Sequence, residues 1–221
     1  MDLIMFYFLL FLIYSVVGWM VEVISCSIKE KRLAMRGFLI GPYCPIYGFA
    51  ALILIFLLKR YINDPLVMFM MALLVVTVIE YLTSYLLEKL FKIRWWDYSE
   101  QPFNVNGRIS LVISLLFGIL GLILMYYLNP HLINILKSIN PQTLTIIGSI
   151  LMIMIIIDAI CSYIIISRLK MTIKNVHKDF TKIIDKKVWD IIKPNSIYQR
   201  RLLKAFPNFK ISEPKKKNPK K

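Results

Sequence analysis

The run LVMFMMALLVVTVIEYLTSYLLEKLF occupies residues 66–91 and carries no charge until Glu80. It is long enough for a membrane-spanning helix, which needs about 20 mostly apolar residues. Four further stretches have the same character: residues 3–27, 47–58 (the shortest, extended back toward Pro42), 109–128 and 144–167. The sequence therefore predicts an all-α integral membrane protein, built as a bundle of about five transmembrane helices with a cytosolic amphipathic helix after them.

Apolar character and positive charge occupy different parts of the chain. The 221 residues are 58% hydrophobic, yet the formal net charge is +15, and seventeen of the 28 Lys and Arg residues follow residue 167. A soluble domain averages about 45–50% apolar residues, so an ordinary soluble fold is excluded. We predict three parts: a transmembrane bundle over residues 1–168, an amphipathic helix over 169–193 and a basic, largely disordered tail over 194–221.

Basic residues alternate between rich and poor loops. Four lie in 29–36 and four in 89–108, whereas the intervening loops hold only Lys59, Arg60 and Lys137. Because cytoplasmic loops carry the excess of Lys and Arg, we predict a multi-pass protein of a bacterial cell membrane, with its N-terminus outside and its C-terminus cytosolic. The outer segment 129–142 has apolar residues at helical spacing and is expected to lie on the outer leaflet.

The basic tail is expected to bind the membrane surface. Lysines near an anionic leaflet gain about 1 kcal/mol each, and apolar residues recur on one face of the predicted helix that precedes the tail. Nucleic acid is not a predicted partner, because the sequence contains no nucleic-acid recognition module beside the positive charge of the tail. The lipid bilayer, and anionic lipids through the tail, are therefore the predicted partners.

Three carboxyls lie inside predicted membrane helices: Glu22, Glu80 and Asp158. Each costs about 2.5–3.5 kcal/mol to insert, and each lies about 10–15 Å from the inner surface by the helical rise. We predict that they form one acidic site for a proton, a cation or a cationic solute, extended by Ser84 and Glu88. The alternative is structural, because buried carboxyls also hold helices together by hydrogen bonds.

Two predicted inner loops are too rich in glycine, proline, aromatic and polar residues to be simple connecting loops. RGFLIGPYCPIYG (36–48) is broken by glycine and proline, which membrane depth tolerates only where protein or a wet cavity covers the backbone. RWWDYS (94–99) and PFNVNGR (102–108) combine aromatic and polar residues, and the aromatic ones also suit a membrane interface. We predict that these loops gate a cytosol-facing cavity through Arg36, Tyr43, Tyr47, Arg94, Trp96, Asp97, Asn104, Asn106 and Arg108.

These motifs, with EYLTSYLLEKLF (80–91) between them, resemble the bacterial family of type-IV ABC-transporter permeases. The resemblance covers Phe6 to Leu128, and Gly18, Trp19 and Glu22 also fit it. It implies a transport component, either a permease or a substrate-binding membrane subunit. Because the sequence contains no G-x-x-x-x-G-K-[ST] motif, the resemblance also implies a separate ATPase subunit.

Other functions remain as alternatives. The two histidines, His131 and His177, fall on opposite sides of the predicted membrane, which removes histidine-based catalysis within it. A lipid-headgroup enzyme would use Arg36, Arg94 or Arg108, and a membrane scaffold would recruit partners through the tail. We predict no catalytic residue, no metal and no cofactor.

Overall fold

The computed structural model describes residues 2–91, 93–179, 198, 201 and 210–211. Its helices are α1 (Leu3–Glu30), α2 (Pro45–Leu58), α3 (Pro65–Phe91), α4 (Leu111–Ile123), α5 (Asn129–Ser138) and α6 (Pro141–Asp179). Its short strands are β1 (Ile93–Arg94), β2 (Asn104–Val105), β3 (Ile109–Ser110) and β4 (Lys210–Ile211). A 3₁₀ turn, Lys59–Tyr61, follows α2, and a π-helical turn, Leu124–Leu128, joins α4 to α5.

Four helices of the described residues are long and apolar enough to cross a membrane. They are α1, α3, the continuous helix from α4 through α5, and α6 up to Arg168. The predicted all-α membrane bundle is confirmed. Helix α2 has only 14 residues, about 21 Å of helix, so it is shorter than the hydrocarbon core of a bilayer.

The chain between α1 and α3 is divided into a loop, residues 31–44, and the helix α2 with the 3₁₀ turn that follows it. The amide of Cys44 donates to the carbonyl of Ser15, in the middle of α1 (2.9 Å), so α2 begins about halfway along that helix. Phe56, near the end of α2, packs on Tyr7 near the start of α1 (4.9 Å between ring centroids). Residues 31–44 therefore run beside the second half of α1, and α2 runs beside the first half.

The helix extends from Tyr47 back toward Pro42, as expected, but only as far as Pro45. Helix α2 begins at Pro45, and residues 38–42 form bends. Proline suits the first turn of a helix but not its interior, because its ring clashes with the preceding turn. With Pro42 and Pro45 so close together, Pro45 takes the first helical position and Pro42 stays outside the helix.

Polar side chains fix the starts of the long helices. The Asp2 carboxylate accepts from the amide of Ile4 (3.0 Å), and the Asp64 carboxylate accepts from Leu66 and Val67 at the start of α3 (3.1 and 3.0 Å). Asn140 caps α6 in the same way. These bonds satisfy amides that have no partner within the helix.

Helix α6 continues past the predicted end of the bundle. It runs without a break from Pro141 to Asp179, so the boundary expected at residue 168 is not a helix end. The rest of the predicted amphipathic helix, residues 180–193, lies outside the described residues. So does most of the predicted tail, of which residues 198, 201 and 210–211 are described.

Described residues of the tail contact the bundle. Strand β4 pairs with β1 in antiparallel fashion, with Ile211 opposite Ile93 and Lys210 opposite Arg94. The Arg201 guanidinium donates to the carbonyls of Leu39 and Ile40 (2.9 and 2.8 Å). The tail thus reaches the bundle end where α1 and α3 finish and α4 begins, which we call the loop end.

The apolar core lies toward the opposite end, near the start of α1. Leu10 of α1, Leu58 of α2 and Met68 of α3 are fully buried there. The segment expected on the outer leaflet forms α5, but Leu136 is only 4% exposed and belongs to the core. Its apolar neighbours Leu132, Ile133 and Ile139 pack against the same cluster, so this face binds protein rather than lipid.

Candidate solute-binding cavity

A cavity of about 340 Å³ lies between α1, α2, α3 and α4, and we call it the central cavity. Most of its wall is aliphatic, with Val17, Val21, Leu54, Val76, Ile79 and Leu120 among the residues that line it. The core lies beyond it toward the start of α1, and residues of the loop-end segments, including Arg36 and Trp96, line it as well. Its volume is in the range of small-molecule binding sites.

Glu80 is the most unusual group in this wall. Its side chain comes from the middle of α3, and the residue is only 5% exposed. The Tyr98 hydroxyl donates to carboxylate Oε1 (3.1 Å), whereas Oε2 is buried and has no hydrogen-bond partner among the described residues. A buried polar atom without a partner costs about 1–3 kcal/mol, so the cavity holds an acceptor that a ligand could satisfy.

Tyr98 is a fixed donor to this carboxylate. Burial raises the pKa of the Tyr98 hydroxyl well above its usual range, and the nearby Glu80 carboxylate raises it further. The hydroxyl therefore stays protonated and donates to Glu80. Tyr98 belongs to the loop between α3 and α4, and its own amide donates to the Gly107 carbonyl (2.8 Å), which ties it to the neighbouring hairpin.

Glu22 is the second carboxyl that lines the cavity. It belongs to α1, and its Oε2 accepts a weak hydrogen bond from the Cys44 thiol (3.6 Å). Arg36 lines the cavity too, but its guanidinium also forms an ion pair with Glu30 (2.8 Å). The wall therefore carries two carboxylates, and one guanidinium that has an anionic partner of its own.

Aromatic side chains complete the wall. Six line the cavity: Tyr14, Tyr47, Trp95, Trp96, Tyr98 and Phe117. Besides Tyr98, two of them are held by side-chain hydrogen bonds to other parts of the chain: the Tyr14 hydroxyl donates to Asn129 (3.0 Å), and the Trp96 indole donates to the Arg108 carbonyl (3.0 Å). The cavity thus has an apolar, aromatic surface with a few polar groups at fixed positions.

Asp158 is not among the residues that line the cavity. Its carboxylate instead accepts from the amides of Ile40 and Gly41 (3.0 and 2.8 Å), from the Tyr43 hydroxyl and from Ser162 (2.9 Å). Every one of these donors except Ser162 belongs to the loop between α1 and α2. The structure therefore brings two of the three predicted carboxyls to one cavity and uses the third to hold a loop.

Glu88 and Ser84, predicted beside Glu80, also lie away from the cavity. Glu88 forms ion pairs with Arg94 (3.1 Å) and Arg108 (2.8 Å), and the Ser84 hydroxyl accepts from Arg108 (3.2 Å). Arg108 is only 8% exposed and lies over the rings of Tyr81 and Tyr85. This cluster joins α3 to the loop that follows it.

Three further predicted gate residues, Asp97, Asn104 and Asn106, lie in the loop between α3 and α4 and help to hold its shape. Asp97 lies 3.8 Å from Arg94 and accepts from Ser99, and Asn104 bonds backbone groups around it. Asn106 and Gly107 have φ of 54° and 65°, which an Asn-Gly turn between antiparallel strands favours. The turn connects β2 to β3. Of the predicted gate residues, only Arg36, Tyr47 and Trp96 line the cavity.

A family model described as "Putative ABC-transporter type IV" matches residues 9–163, more than half of the chain. The chain belongs to this ABC-transporter family. It is therefore a transport-related, multi-pass membrane protein, as the sequence motifs predicted. No curated protein and no solved structure shows significant similarity to it.

The family match extends further than the motifs suggested. The expected resemblance ended at Leu128, whereas the match reaches residue 163 and includes Asp158. All residues that line the central cavity fall within it. Arg201 and β4 fall outside the match, whereas their partners Leu39, Ile40 and β1 fall within it.

Sequence reasoning missed several residues that line the cavity of this ABC-transporter family member. Tyr14 and Phe117 were not predicted, and Trp95 and Tyr98 were placed in the loop expected to gate the cavity, or alternatively at the membrane interface, without being named as gate residues. A signal for Tyr14 existed, because Tyr14, Gly18 and Glu22 recur every four residues and therefore share one face of α1. Phe117 offered no such signal, since its helix is apolar apart from Ser114.

Proposed function

We propose that this chain is the membrane subunit of an ABC-type transporter, a permease or a substrate-binding component, and that its central cavity binds the transported solute. One observation carries the proposal. Glu80 lines a ligand-sized cavity, and its buried Oε2 has no hydrogen-bond partner among the described residues. Ionisable groups inside membrane helices are costly and mark substrate or ion pathways, so this carboxyl is the best candidate for contact with the solute.

In this proposal the cavity opens toward the cytosol. The loop end carries the basic-rich segments 29–36 and 89–108, whereas the opposite end carries only Lys59, Arg60 and Lys137. By the positive-inside rule the loop end is cytosolic. The N-terminus then lies outside a bacterial cell membrane, and residues of the cytosolic segments, Arg36, Trp95 and Trp96, line the mouth of the cavity.

A separate ATPase would supply the energy. The family description names an ABC transporter, and the 221 residues contain no P-loop motif. The docking surface would be the loop end, where the hairpin β2–β3 and the paired strands β1 and β4 lie. Mild-detergent purification of the full chain from its own host's membranes tests this step.

We expect an ATPase with a P-loop to co-purify in a near-stoichiometric amount, as identified by mass spectrometry. The ATPase should no longer co-purify when the loop end is altered by the double substitution Asn106→Pro, Gly107→Pro. A Glu80→Gln chain should keep the ATPase, because Glu80 is buried in the cavity wall and is not exposed at the loop end. Purification of the parent chain with no ATPase from membranes that contain ABC ATPases would contradict the ABC assignment.

The lipid-headgroup alternative lacks support from the arginines on which it depended. Arg36 forms an ion pair with Glu30, and Arg94 and Arg108 share Glu88. Guanidiniums engaged in internal ion pairs are poor candidates for binding a phosphate. The scaffold alternative depends on the basic tail, most of which lies outside the described residues, and no described contact favours it over transport.

A further inference from the structure

We infer that the solute of the central cavity is a small organic cation: a protonated amine attached to an apolar or aromatic body. This inference rests on the proposed function and adds the chemical class of the ligand. The Glu80 oxygen Oε2 is a buried hydrogen-bond acceptor that has no partner among the described residues. A ligand that satisfies it must bring a hydrogen-bond donor, and an ammonium group makes the stronger, charge-assisted bond.

The charges of the wall favour a cation over an anion. Glu22 and Glu80 both line the cavity, and the positive group beside them, Arg36, is paired with Glu30 at 2.8 Å. A carboxylate or phosphate ligand would therefore meet two carboxyl groups, which repel an anion wherever they are ionised. A cationic head would instead favour the ionised form of both carboxyls and pair with them.

The wall does not suit a bare metal ion. Hard cations take six or more oxygen ligands in sites such as those for calcium, whereas this wall offers two carboxylates. Among the described residues, no three His, Cys, Asp or Glu side chains are grouped so that they could hold a metal. The other wall groups are mainly aliphatic and aromatic, and these would leave an inorganic ion without ligands.

The same wall suits the body of an organic molecule. Aliphatic side chains such as Val17, Val21 and Leu120 offer apolar contact, and Trp95 and Trp96 lie at the loop-end side of the cavity. Aromatic rings attract ammonium groups through their electron-rich faces. The volume of about 340 Å³ is at the small end of ligand sites, which favours a molecule about the size of tryptamine.

Binding of matched probes to the full chain in lipid nanodiscs tests the inference by isothermal titration calorimetry. Tryptamine supplies the ammonium, tryptophol replaces it with a hydroxyl, and indole-3-propionate replaces it with a carboxylate. We expect tryptamine to bind about tenfold more tightly than tryptophol, and indole-3-propionate to bind more weakly than both. Glu80→Gln should bring tryptamine and tryptophol to near parity.

Three variants make the result specific. Glu100→Gln is the matched control, because Glu100 is exposed and outside the cavity wall; it should keep the tenfold preference. Val17→Trp and Ile79→Trp each fill the cavity from a different helix, so that a folding failure in one leaves the other. Both should weaken tryptamine binding at least tenfold.

Two other outcomes would overturn the inference in different ways. If tryptophol or indole-3-propionate binds as tightly as tryptamine, and the filling variants remove that binding, the charge class is wrong while the cavity remains a solute site. If no probe binds, or if the filling variants leave binding unchanged, an organic cation does not occupy this cavity. Neither outcome bears on the ATPase, whose co-purification tests the transporter assignment separately.

Discussion

At the residue scale, Glu80 and Asp158 are carboxyls of membrane helices with opposite surroundings. Asp158 accepts hydrogen bonds from four donors, whereas Glu80 accepts one and has a buried oxygen without a partner among the residues that the structure describes. A carboxylate with its acceptor sites filled is a structural anchor. A carboxyl group in a cavity wall whose acceptor oxygen has no partner is suited to bind a ligand.

The structural role of Asp158 predicts a loss of stability on substitution. In Asp158→Asn the amide group cannot accept hydrogen bonds as a carboxylate does, so at least one of the donors from Ile40, Gly41 and Tyr43 loses its partner. The expected cost is about 1–3 kcal/mol, seen as a lower melting temperature in nanodiscs, with probe affinity of the refolded protein within about twofold of the parent.

Ser162→Ala is the control for this prediction, since it removes one donor to Asp158 and one of the two acceptors of the Ile40 amide but leaves the bonds from the loop to Asp158 in place; its melting temperature should fall less. Loss of tryptamine binding in Asp158→Asn at a temperature where the protein is folded would show that Asp158 belongs to the ligand site after all.

The sequence could identify these carboxyls but not separate their roles. Counting residues gives the depth of each group along its helix, and on that scale the three are alike. The direction that each side chain faces depends on helix packing and on loops that enter the membrane. Residues 38–44 run between Asp158 and the cavity wall, and nothing in the local pattern predicts that.

At the element scale, the loop between α1 and α2 is held from three sides. Asp158 binds its amides, Arg201 binds the carbonyls of Leu39 and Ile40, and Trp19 donates to the Arg36 carbonyl (2.8 Å). Backbone groups of a non-helical segment within a membrane protein need such partners, because lipid offers none. The tail residue Arg201 is therefore part of the support of the cavity.

Removing Arg201 should loosen this loop. In Arg201→Ala, two carbonyl groups lose their donor, and hydrogen–deuterium exchange of the peptide covering residues 36–44 should become severalfold faster. Arg201→Lys keeps a donor at reduced reach and should give an intermediate rate. Exchange in Arg201→Ala that matches the parent would show that the tail contact does not hold the loop.

The contact of α1 with α2 gives a second prediction at this scale. A Cβ added at Gly18 would clash with the side chain of Tyr47, which lines the cavity. Gly18→Ala should therefore displace Tyr47, lower the melting temperature in line with an overpacking cost of about 1–3 kcal/mol, and weaken tryptamine binding.

Gly148→Ala is the matched control, because there an added Cβ would meet only the flexible side chain of Met5, at 3.2 Å. It should leave both the melting temperature and the probe affinity close to those of the parent. A Gly18→Ala protein as stable as Gly148→Ala would contradict the close packing of α1 on α2.

Element boundaries were readable where the sequence carries polar caps. Asp64-Pro65 and Asn140-Pro141 mark the starts of α3 and α6, as aspartate or asparagine before a first-turn proline predicts. The end of α6 was not readable, because residues 169–179 continue the helix without proline or glycine. The composition changes from apolar to amphipathic near residue 168, but the backbone of α6 continues through that point as one helix.

At the scale of the whole molecule, the divided segment between α1 and α3 is consistent with the topology that the charge pattern predicts. The loop 31–44 and α2 together take the chain from the loop end to the opposite end, so five passages separate the start of α1 from the end of α6. The short helix alone would have given four. Four helices of the described residues are long and apolar enough to cross a membrane, so the fifth crossing that the charge pattern predicts stays a prediction for the loop 31–44 and α2.

Side-specific labelling checks the orientation. In a chain whose three native cysteines are replaced by serine, Asn63→Cys and Asn140→Cys should react with a membrane-impermeant maleimide from outside intact cells. Ser99→Cys should react only after the membrane is permeabilised. Labelling of Ser99→Cys in intact cells would reverse the assignment of the loop end to the cytosol and with it the direction in which the cavity opens.

The most direct measurement is the small-molecule content of the purified full chain, compared between the parent, Glu80→Gln and Glu100→Gln by mass spectrometry of the extracted ligand. We expect one amine-bearing compound to be recovered from the parent and from Glu100→Gln. The amount recovered from Glu80→Gln should be at least tenfold lower. Equal recovery of that compound from all three proteins, or a recovered ligand without a cationic group, would contradict this expectation.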